Sequence, residues 1–244
     1  MIRKLTLSAL TALVLGSTPV LAAGDGGHVH DYAFSFEGPF GTYDRAQLQR
    51  GLQVYTEVCS ACHGLNLVAF RALTQDTGPG LDDDTMRAYA ASIEIQDPAT
   101  GEYRAAGGPD HFPPPALSNA PDLSLMAKAR AGFHGPYGLG VNQLMRGMGG
   151  AEYIASFLTG FNGEESEQGG SLFYYNTASG TYVAMNPVLF EGLVEYSDGT
   201  AATEEQMAQD VAAFLMWAAE PNLGERKKWG FMGVIFLTLL ASLL

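Results

Sequence analysis

The sequence predicts a mainly helical protein: a single domain with long loops and a small β-hairpin, followed by one C-terminal apolar helix. The chain has 244 residues and is 47% hydrophobic, which is enough for one sizeable core. Apolar residues recur at helical spacing before residue 60 and after residue 203, whereas glycine, proline and aspartate crowd the stretch between residues 76 and 121. We find no internal repeat that would divide the domain.

The N-terminus has the pattern of a secretory signal peptide. Arg3 and Lys4 precede a short apolar run, and small residues follow it near Ala22. A membrane-spanning helix needs about 20 apolar residues, and glycine and proline interrupt this run too early. We therefore predict a signal peptide over residues 1–22 and an exported domain over residues 23–221.

A helix is predicted next, capped by Thr42 or Asp44, with apolar residues from Leu48 to Val58 on one face. The two cysteines of the chain lie at its end, three positions apart, and a histidine follows directly: Cys59, Cys62 and His63. Two thiols one helical turn apart can bond to both vinyl groups along one haem edge, and the adjacent imidazole then reaches the iron. This is the attachment pattern of a covalent haem c.

A thioredoxin-like redox pair is the alternative for the two cysteines, but it is expected to follow a strand and to precede a helix. The exported context and the lack of other cysteines favour haem. We predict one covalent haem c, with no cysteine left for a disulfide.

Further elements follow from turn residues and periodicity. They are a loop over residues 76–121 that wraps the haem edge and holds one short helix at 84–91, a helix at 121–131, a helix at 151–158, an acidic glycine-rich loop at 163–170, and a hairpin of strands 171–175 and 181–184. The last helix of the domain has a capping box of Thr203 and Gln206 and stops at Pro221.

The residue on the second axial side of the iron decides between electron transfer and an enzyme. A free position suits O2 or peroxide chemistry, whereas a thioether saturates the iron and raises its potential. Met126 and Met207 lie at core spacing on predicted helices, so packing explains them, while Met185 follows a short predicted strand. The pattern alone leaves these candidates open: Met126, Met145, Met148, Met185, Met207, His111 and His134.

The chain is acidic, with 26 acidic and 13 basic residues and a net charge of −13. This sign excludes nucleic acid as a partner. The acidic residues either serve solubility or form a negative field that attracts a basic protein and raises its association rate. Two groups are candidates for such a field: Asp82 to Asp84, and Glu164, Glu165 and Glu167.

The C-terminal segment, residues 222–244, combines the basic cluster Arg226-Lys227-Lys228 with Trp229 and an uncharged, mostly apolar run. Tryptophan at the edge of such a run suits an interfacial anchor. The run spans only about 22 Å at 1.5 Å per residue, against a hydrocarbon core of about 30 Å. A buried core helix is the alternative, and a basic cluster on the exported side opposes the positive-inside tendency. We predict one transmembrane helix, with the exported domain at its N-terminal end.

Several stretches occur together and in order: residues 50–63, 68–71, 121–124, 129–130, 152–160, 184–185, 198–200 and 210–221, then Arg226-Lys227. From Tyr43 to Trp229 the chain therefore resembles the cytochrome c1 family, the c-type haem subunits of the bacterial cytochrome bc1 complex. The resemblance implies that Met185 is the second axial ligand and that Arg130 binds a haem propionate, which its planar guanidinium suits. One departure concerns the Met185 loop: the family pattern is Met-x-Pro-Pro, and here Asn186, Pro187 and Val188 follow.

The resemblance further implies that a few more apolar residues and a basic cytoplasmic tail follow the C-terminal segment in the natural protein. It also implies a function. The subunit would take single electrons from a Rieske iron–sulfur subunit, after ubiquinol oxidation at cytochrome b, and pass them to a soluble cytochrome c. It would act in a dimeric complex of the bacterial inner membrane, with the haem domain in the periplasm, and would not be an enzyme in isolation. The alternatives are a free-standing, membrane-anchored cytochrome c shuttle and a haem enzyme, such as a peroxidase, in which Met185 does not bind the iron.

Overall fold

The computed structural model describes residues 27–97, 99–130, 147 and 149–243. The predicted signal peptide lies outside these residues. Helices in the described ranges are α1 (Arg45–Val54), α2 (Asp83–Ala91), α3 (Met126–Ala129), α4 (Gly150–Thr159), α5 (Glu204–Ala219) and α6 (Leu223–Leu243). Strands are β1 (Glu94–Gln96), β2 (Tyr103–Ala105), β3 (Phe161–Gln168), β4 (Ser171–Asn176) and β5 (Thr181–Val183). A π-helical turn, Tyr55–Cys59, continues α1, and a 3-10 helix covers Phe70–Thr74.

The start of α1 confirms one of the two predicted caps. The Asp44 carboxylate accepts hydrogen bonds from the backbone N–H groups of Ala46 (2.9 Å) and Gln47 (3.3 Å). These bonds satisfy two of the donors that an α-helix leaves unpaired at its N-terminus. Leu48 and Leu52 are buried, so the predicted apolar face of this helix lies in the core.

The core is built on the contact between α1 and α5. Gly51 makes this contact close, because a β-carbon at this position would lie 2.1 Å from the carbonyl oxygen of Asp210 and 2.6 Å from Cβ of Phe214. Burial of apolar side chains from both helices supplies the main stabilisation of the fold. The most buried large residues include Trp217, Tyr55, Phe70, Phe214, Leu48 and Met207.

A buried ion pair lies at this helix contact. Arg50 donates from Nε and Nη2 to the two carboxylate oxygens of Asp210, at 2.9 and 3.1 Å, and from Nη1 to Asp198 at 2.8 Å. The Asp210 side chain is fully buried. Hydrogen bonds from the Thr200 backbone and from Arg50 lower the pKa of Asp198 to about 2. The pair therefore ties α1 to α5 and to the loop before α5.

The predicted capping box of α5 is half correct. The Thr203 hydroxyl accepts a hydrogen bond from the Gln206 backbone N–H at 3.1 Å, as predicted. The Gln206 amide does not reach back to the cap; it donates to the Asp210 carboxylate at 2.9 Å. The Gln206 side chain thus bonds one turn further along the same helix, to the carboxylate that also accepts from Arg50.

The sheets are more extensive than predicted. The hairpin of β4 and β5 is confirmed, but residues 163–170, predicted as a loop, are mostly strand: β3 pairs with β4 in an antiparallel sheet of order β3-β4-β5. The prediction was wrong because most β3 side chains are exposed on both faces, so no apolar alternation marks the strand. The predicted loop over residues 76–121 holds α2 as expected, and also the hairpin of β1 and β2.

The helix predicted over residues 121–131 is mostly absent from its described part, where only α3 is helical. Asp122 explains the difference. Its carboxylate accepts hydrogen bonds from the Ser124 N–H, which forms a local turn, and from the Asn66 N–H, both at 2.9 Å. Asp122 therefore fixes a loop instead of starting a helix.

The C-terminal segment forms α6, on which Leu223 is buried and the side chains from Trp229 onward are mostly exposed. Within the described ranges, we find no helix that combines the length and the apolar character needed to cross a bilayer. The transmembrane helix predicted over residues 222–244 is therefore not confirmed.

Loss of the Arg50 guanidinium should destabilise the domain strongly. In Arg50→Leu the Asp210 carboxylate stays buried without its partner, and breaking such a pair typically costs about 3–5 kcal/mol. We expect the free energy of unfolding, measured by denaturant titration, to fall by that amount.

Two comparisons test the cause. Arg50→Leu combined with Asp210→Asn should recover part of the loss, because no buried charge is left unpaired. Arg87→Leu, which removes an exposed pair with Asp84, should have little effect. Equal destabilisation by Arg87→Leu and Arg50→Leu would contradict this account.

Candidate functional site

The five residues singled out by the sequence line one cavity of about 310 Å³. They are Cys59, Cys62, His63, Arg130 and Met185. The cavity lies between the end of the π-helical turn, the loop before α3, one face of α4, the loop after β5 and α5. The described lining residues besides these five are Val58, Leu117, Asn119, Ala120, Pro121, Leu123, Met126, Tyr153, Ile154, Phe157, Leu158, Ala184, Asn186, Val188, Val211 and Leu215.

A π-helical turn brings the two thiols to the cavity. The backbone N–H of Ser60 donates to the carbonyl oxygen of Tyr55 five residues earlier, at 2.8 Å, and the N–H of His63 donates to that of Cys59 at 2.9 Å. The Tyr55 hydroxyl also bonds the carbonyl oxygen of His63 at 3.1 Å. Short π-helical segments are frequent at functional sites because they shift the side chains that follow.

The imidazole of His63 is oriented by one hydrogen bond. Its Nδ1 lies 2.8 Å from the carbonyl oxygen of Pro121. A carbonyl oxygen only accepts hydrogen bonds, so in the neutral imidazole Nδ1 carries the proton and Nε2 carries the lone pair. That tautomer is the one in which a histidine binds a metal through Nε2 while a backbone carbonyl holds the ring.

A proline-rich loop holds the backbone of the motif. The N–H of Leu65 donates to Pro113 O at 3.2 Å, and the N–H of Ala116 donates to Cys62 O at 3.2 Å. Gly64 permits this approach, because a β-carbon there would lie 2.5 Å from Pro113 O. Leu117 then lines the cavity. The predicted loop therefore wraps one side of the cavity.

Both cysteines have free thiols. Burial, together with the neighbouring Cys62, raises the pKa of the Cys59 thiol to about 12. This direction is opposite to the lowered pKa that a thioredoxin-type thiolate requires. No strand directly precedes the pair in the described chain, and α1 precedes it instead.

The structure separates the methionine and histidine candidates. Met185 is half-buried and lines the cavity, and Met126, for which helical spacing favoured core packing, lines it as well. Met207 is fully buried and is not among the described lining residues. His111 is exposed, with Nδ1 2.8 Å from Asn66 O. Met145, Met148 and His134 lie outside the described residues.

Arg130 is the one cationic side chain among the described lining residues. It follows α3, is exposed, and donates to the carbonyl oxygen of Ala129 at 3.5 Å.

Sequence reasoning missed most of the apolar side chains that line the cavity. Helical spacing was the signal that could have found them. On α4 the lining residues Tyr153 and Phe157 are four positions apart, and on α5 Val211 and Leu215 are also four positions apart, so each pair shares one face of its helix.

A second cavity, of about 430 Å³, lies near the start of α6 and has a different character. It is lined by acidic and basic side chains, which include Glu37, Glu152, Lys128, Glu220, Arg226 and Lys227. Burial, with the neighbouring Glu37 carboxyl, raises the pKa of Glu152 to about 8. Among its described lining residues there is no thiol and no imidazole, so the smaller cavity is the candidate cofactor site.

Comparisons with known proteins identify the family of the chain. The profile of the Cytochrome C1 family matches residues 34–244. The chain is 54% identical, over 269 aligned positions, to cytochrome c1 of Cereibacter sphaeroides, with 100% of this chain and 93% of the relative covered. It is 38% identical to the mitochondrial cytochrome c1 heme protein of Saccharomyces cerevisiae, with 93% and 72% covered. It is 37% identical to the mitochondrial cytochrome b-c1 complex catalytic subunit of Candida albicans, with 90% and 75% covered.

Proposed function

The chain belongs to the cytochrome c1 family, and on that premise we propose that it is the electron-transfer subunit of a ubiquinol–cytochrome c oxidoreductase. It takes single electrons from a Rieske iron–sulfur subunit and passes them to a soluble cytochrome c. The observation that carries this proposal is the convergence of two thiols, one oriented imidazole and one thioether on the 310 Å³ cavity.

Proteins of this family carry a covalently bound haem c, and the cavity fits that group. Its wall is mainly apolar, its volume is in the range of small-molecule sites, and both thiols are free at its edge. When bound, the haem supplies reversible one-electron chemistry. We propose that Cys59 and Cys62 hold it covalently and that His63 binds its iron through Nε2.

The other site residues have supporting roles. Met185 is proposed as the second axial ligand, because it lines the cavity on a loop that β5 and Pro187 constrain. Arg130 is proposed to pair with a propionate, since a guanidinium offers two parallel N–H donors to a carboxylate. The apolar side chains of α4 and α5 exclude water, which favours the reduced, less charged state of the iron.

The setting of the domain is also part of the proposal. The signal peptide pattern supports export, so the haem domain, residues 23–221, would be periplasmic. Segment 222–244, most of which forms α6, would attach it to the inner membrane through its exposed apolar side chains. In that position we propose that the domain assembles with cytochrome b and a Rieske subunit in a dimeric complex; the name of one relative, a cytochrome b-c1 complex catalytic subunit, supports the partnership with cytochrome b.

Replacement of Met185 tests the axial ligation. In Met185→Leu the iron loses its thioether, which stabilises the ferrous state. We expect the reduction potential to fall on the order of 100 mV, within the ~0.8 V range that axial ligands set. We also expect carbon monoxide to bind the reduced protein. Potentiometric titration and visible spectra measure both effects.

Met126→Leu is the matched control because Met126 lines the same cavity. It should keep the wild-type potential and exclude carbon monoxide. A Met185→Leu protein with an unchanged potential would show that the ligand is misassigned. A high-spin ferric spectrum of the unmodified protein would favour a haem enzyme instead.

The acidic residues differ in their suitability for steering a basic cytochrome c. Asp82 caps α2, accepting from the backbone N–H of Thr85 at 2.9 Å, and Asp84 pairs with Arg87. Glu165 and Glu167 are exposed on β3. This strand belongs to the sheet whose strand β5 leads directly to Met185. Glu165 pairs with Tyr174, and Tyr174 pairs with Val183, two residues before Met185. These charges therefore lie on the sheet that leads to the proposed haem site, whereas those at α2 are partly used in local structure.

The association rate with a basic cytochrome c should therefore depend on the salt concentration and on the acidic side chains of β3. We expect the second-order rate of cytochrome c reduction to fall steeply as ionic strength rises towards 0.15 M, where the screening length is about 8 Å. Stopped-flow measurement on Glu165→Gln/Glu167→Gln should show a lower rate at low salt and a flatter dependence. Asp83→Asn is the control. A rate independent of ionic strength would refute steering.

A further inference from the structure

The loop over residues 35–42 presents one large apolar side chain outward. Phe40 is 72% exposed, although the loop around it is tightly built. The backbone N–H of Thr42 closes the loop on Ser35 O at 3.1 Å. The ring of Phe36 is buried and stacks on Phe34, with 5.0 Å between the ring centroids. Phe40 is thus held out by an ordered scaffold.

A single exposed phenylalanine needs no explanation by itself, but Phe40 is not isolated. Its ring packs edge-to-face on Phe231 of α6, with 5.3 Å between the centroids. The ammonium group of Lys227 donates to the carbonyl oxygens of Phe36 and Gly41. One residue of the basic cluster therefore fastens the loop to α6.

The position of Phe40 along α6 follows from its partner. Phe231 is three residues beyond Lys228, which is about 4.5 Å along the helix axis. Phe40 therefore stands on the apolar side of the basic cluster, level with Trp229 and the first exposed apolar residues of α6. The further exposed apolar residues of this helix are Met232, Val234, Ile235, Phe236, Leu237, Leu239, Leu240 and Leu243.

The distribution of these side chains indicates what covers them. Residues 234–237 are consecutive and all exposed, so apolar groups point to every side of the helix. A protein groove covers one side, whereas lipid surrounds a helix. Two exposed residues border the apolar zone. The side chain of Lys228 is 68% exposed, and Trp229 is 67% exposed. Basic and aromatic residues at such a border are typical of contact with an anionic bilayer surface.

We propose that the loop over residues 35–42 is a second membrane contact of the haem domain, in which Phe40 inserts beside Phe231 into the interfacial layer of the bilayer. This inference rests on the membrane attachment proposed above for α6. Two contacts from parts of the chain about 190 positions apart restrict rotation of the domain about the helix axis. The haem cavity then keeps one orientation relative to the membrane surface.

The test places a nitroxide label at single positions of the full-length, haem-loaded protein in phosphatidylcholine–phosphatidylglycerol vesicles. The variants are Phe40→Cys, the exposed control Phe190→Cys on a separate loop, and Phe236→Cys on α6, with exposures of 72%, 60% and 64%. Electron paramagnetic resonance measures collisions of each label with O2, which partitions into lipid, and with a nickel chelate, which stays in water. The unsubstituted protein gives the labelling background.

We expect the Phe40 and Phe236 labels to collide several-fold more with O2 than with the nickel chelate, and the Phe190 label to show the reverse. If the Phe40 label is as accessible to the nickel chelate as the Phe190 label, the loop does not contact the membrane and the inference is overturned. In that case the attachment of α6 still stands if the Phe236 label remains in lipid. Nickel access at both Phe40 and Phe236 overturns the attachment as well. A Phe40 label shielded from both reagents shows that protein covers the loop and also overturns the lipid contact.

Discussion

Helices α1 and α5 cross with Gly51 against the carbonyl oxygen of Asp210, where no larger residue fits. This close contact positions both parts of the site. It places the π-helical turn that carries Cys59 at the end of α1, and it turns the Val211 and Leu215 face of α5 towards the same space. The buried ion pair of Arg50 and Asp210 adds an electrostatic contact to the close packing at Gly51. Burial of a charge is costly unless it is paired, so the pair opposes sliding of one helix along the other.

Backbone carbonyl groups complete the site. Pro121 O orients the imidazole of His63, and Pro113 O and Cys62 O hold the turn around Gly64. These carbonyl groups come from irregular segments, because a loop can present a carbonyl group that a helix would use in its own hydrogen bonds. The long proline-rich region is therefore a structural part of the site, and its prolines limit the freedom of the chain before the cofactor is attached.

Caps and apolar spacing predicted α1 and α5, and turn residues and periodicity predicted α2 and α4. Such local patterns failed where tertiary contacts override local preference. β3 has few apolar residues because it lies on an exposed sheet, and residues near Asp122 form a loop because Asn66 uses that carboxylate. Cys59, Cys62 and His63 were evident from spacing alone. Met185 and Arg130 needed the family resemblance, because helical spacing favoured packing for Met126 but did not identify Met185 as a ligand, and both methionines line the cavity.

The proposed function depends on covalent attachment of the haem by Cys59 and Cys62. Mass spectrometry of the peptide that spans both cysteines and His63, after unfolding and proteolysis of the mature protein, detects this attachment. We expect this peptide to carry the mass of one haem, and we expect neither thiol to react with iodoacetamide. A haem-free peptide with two alkylated thiols would contradict covalent attachment.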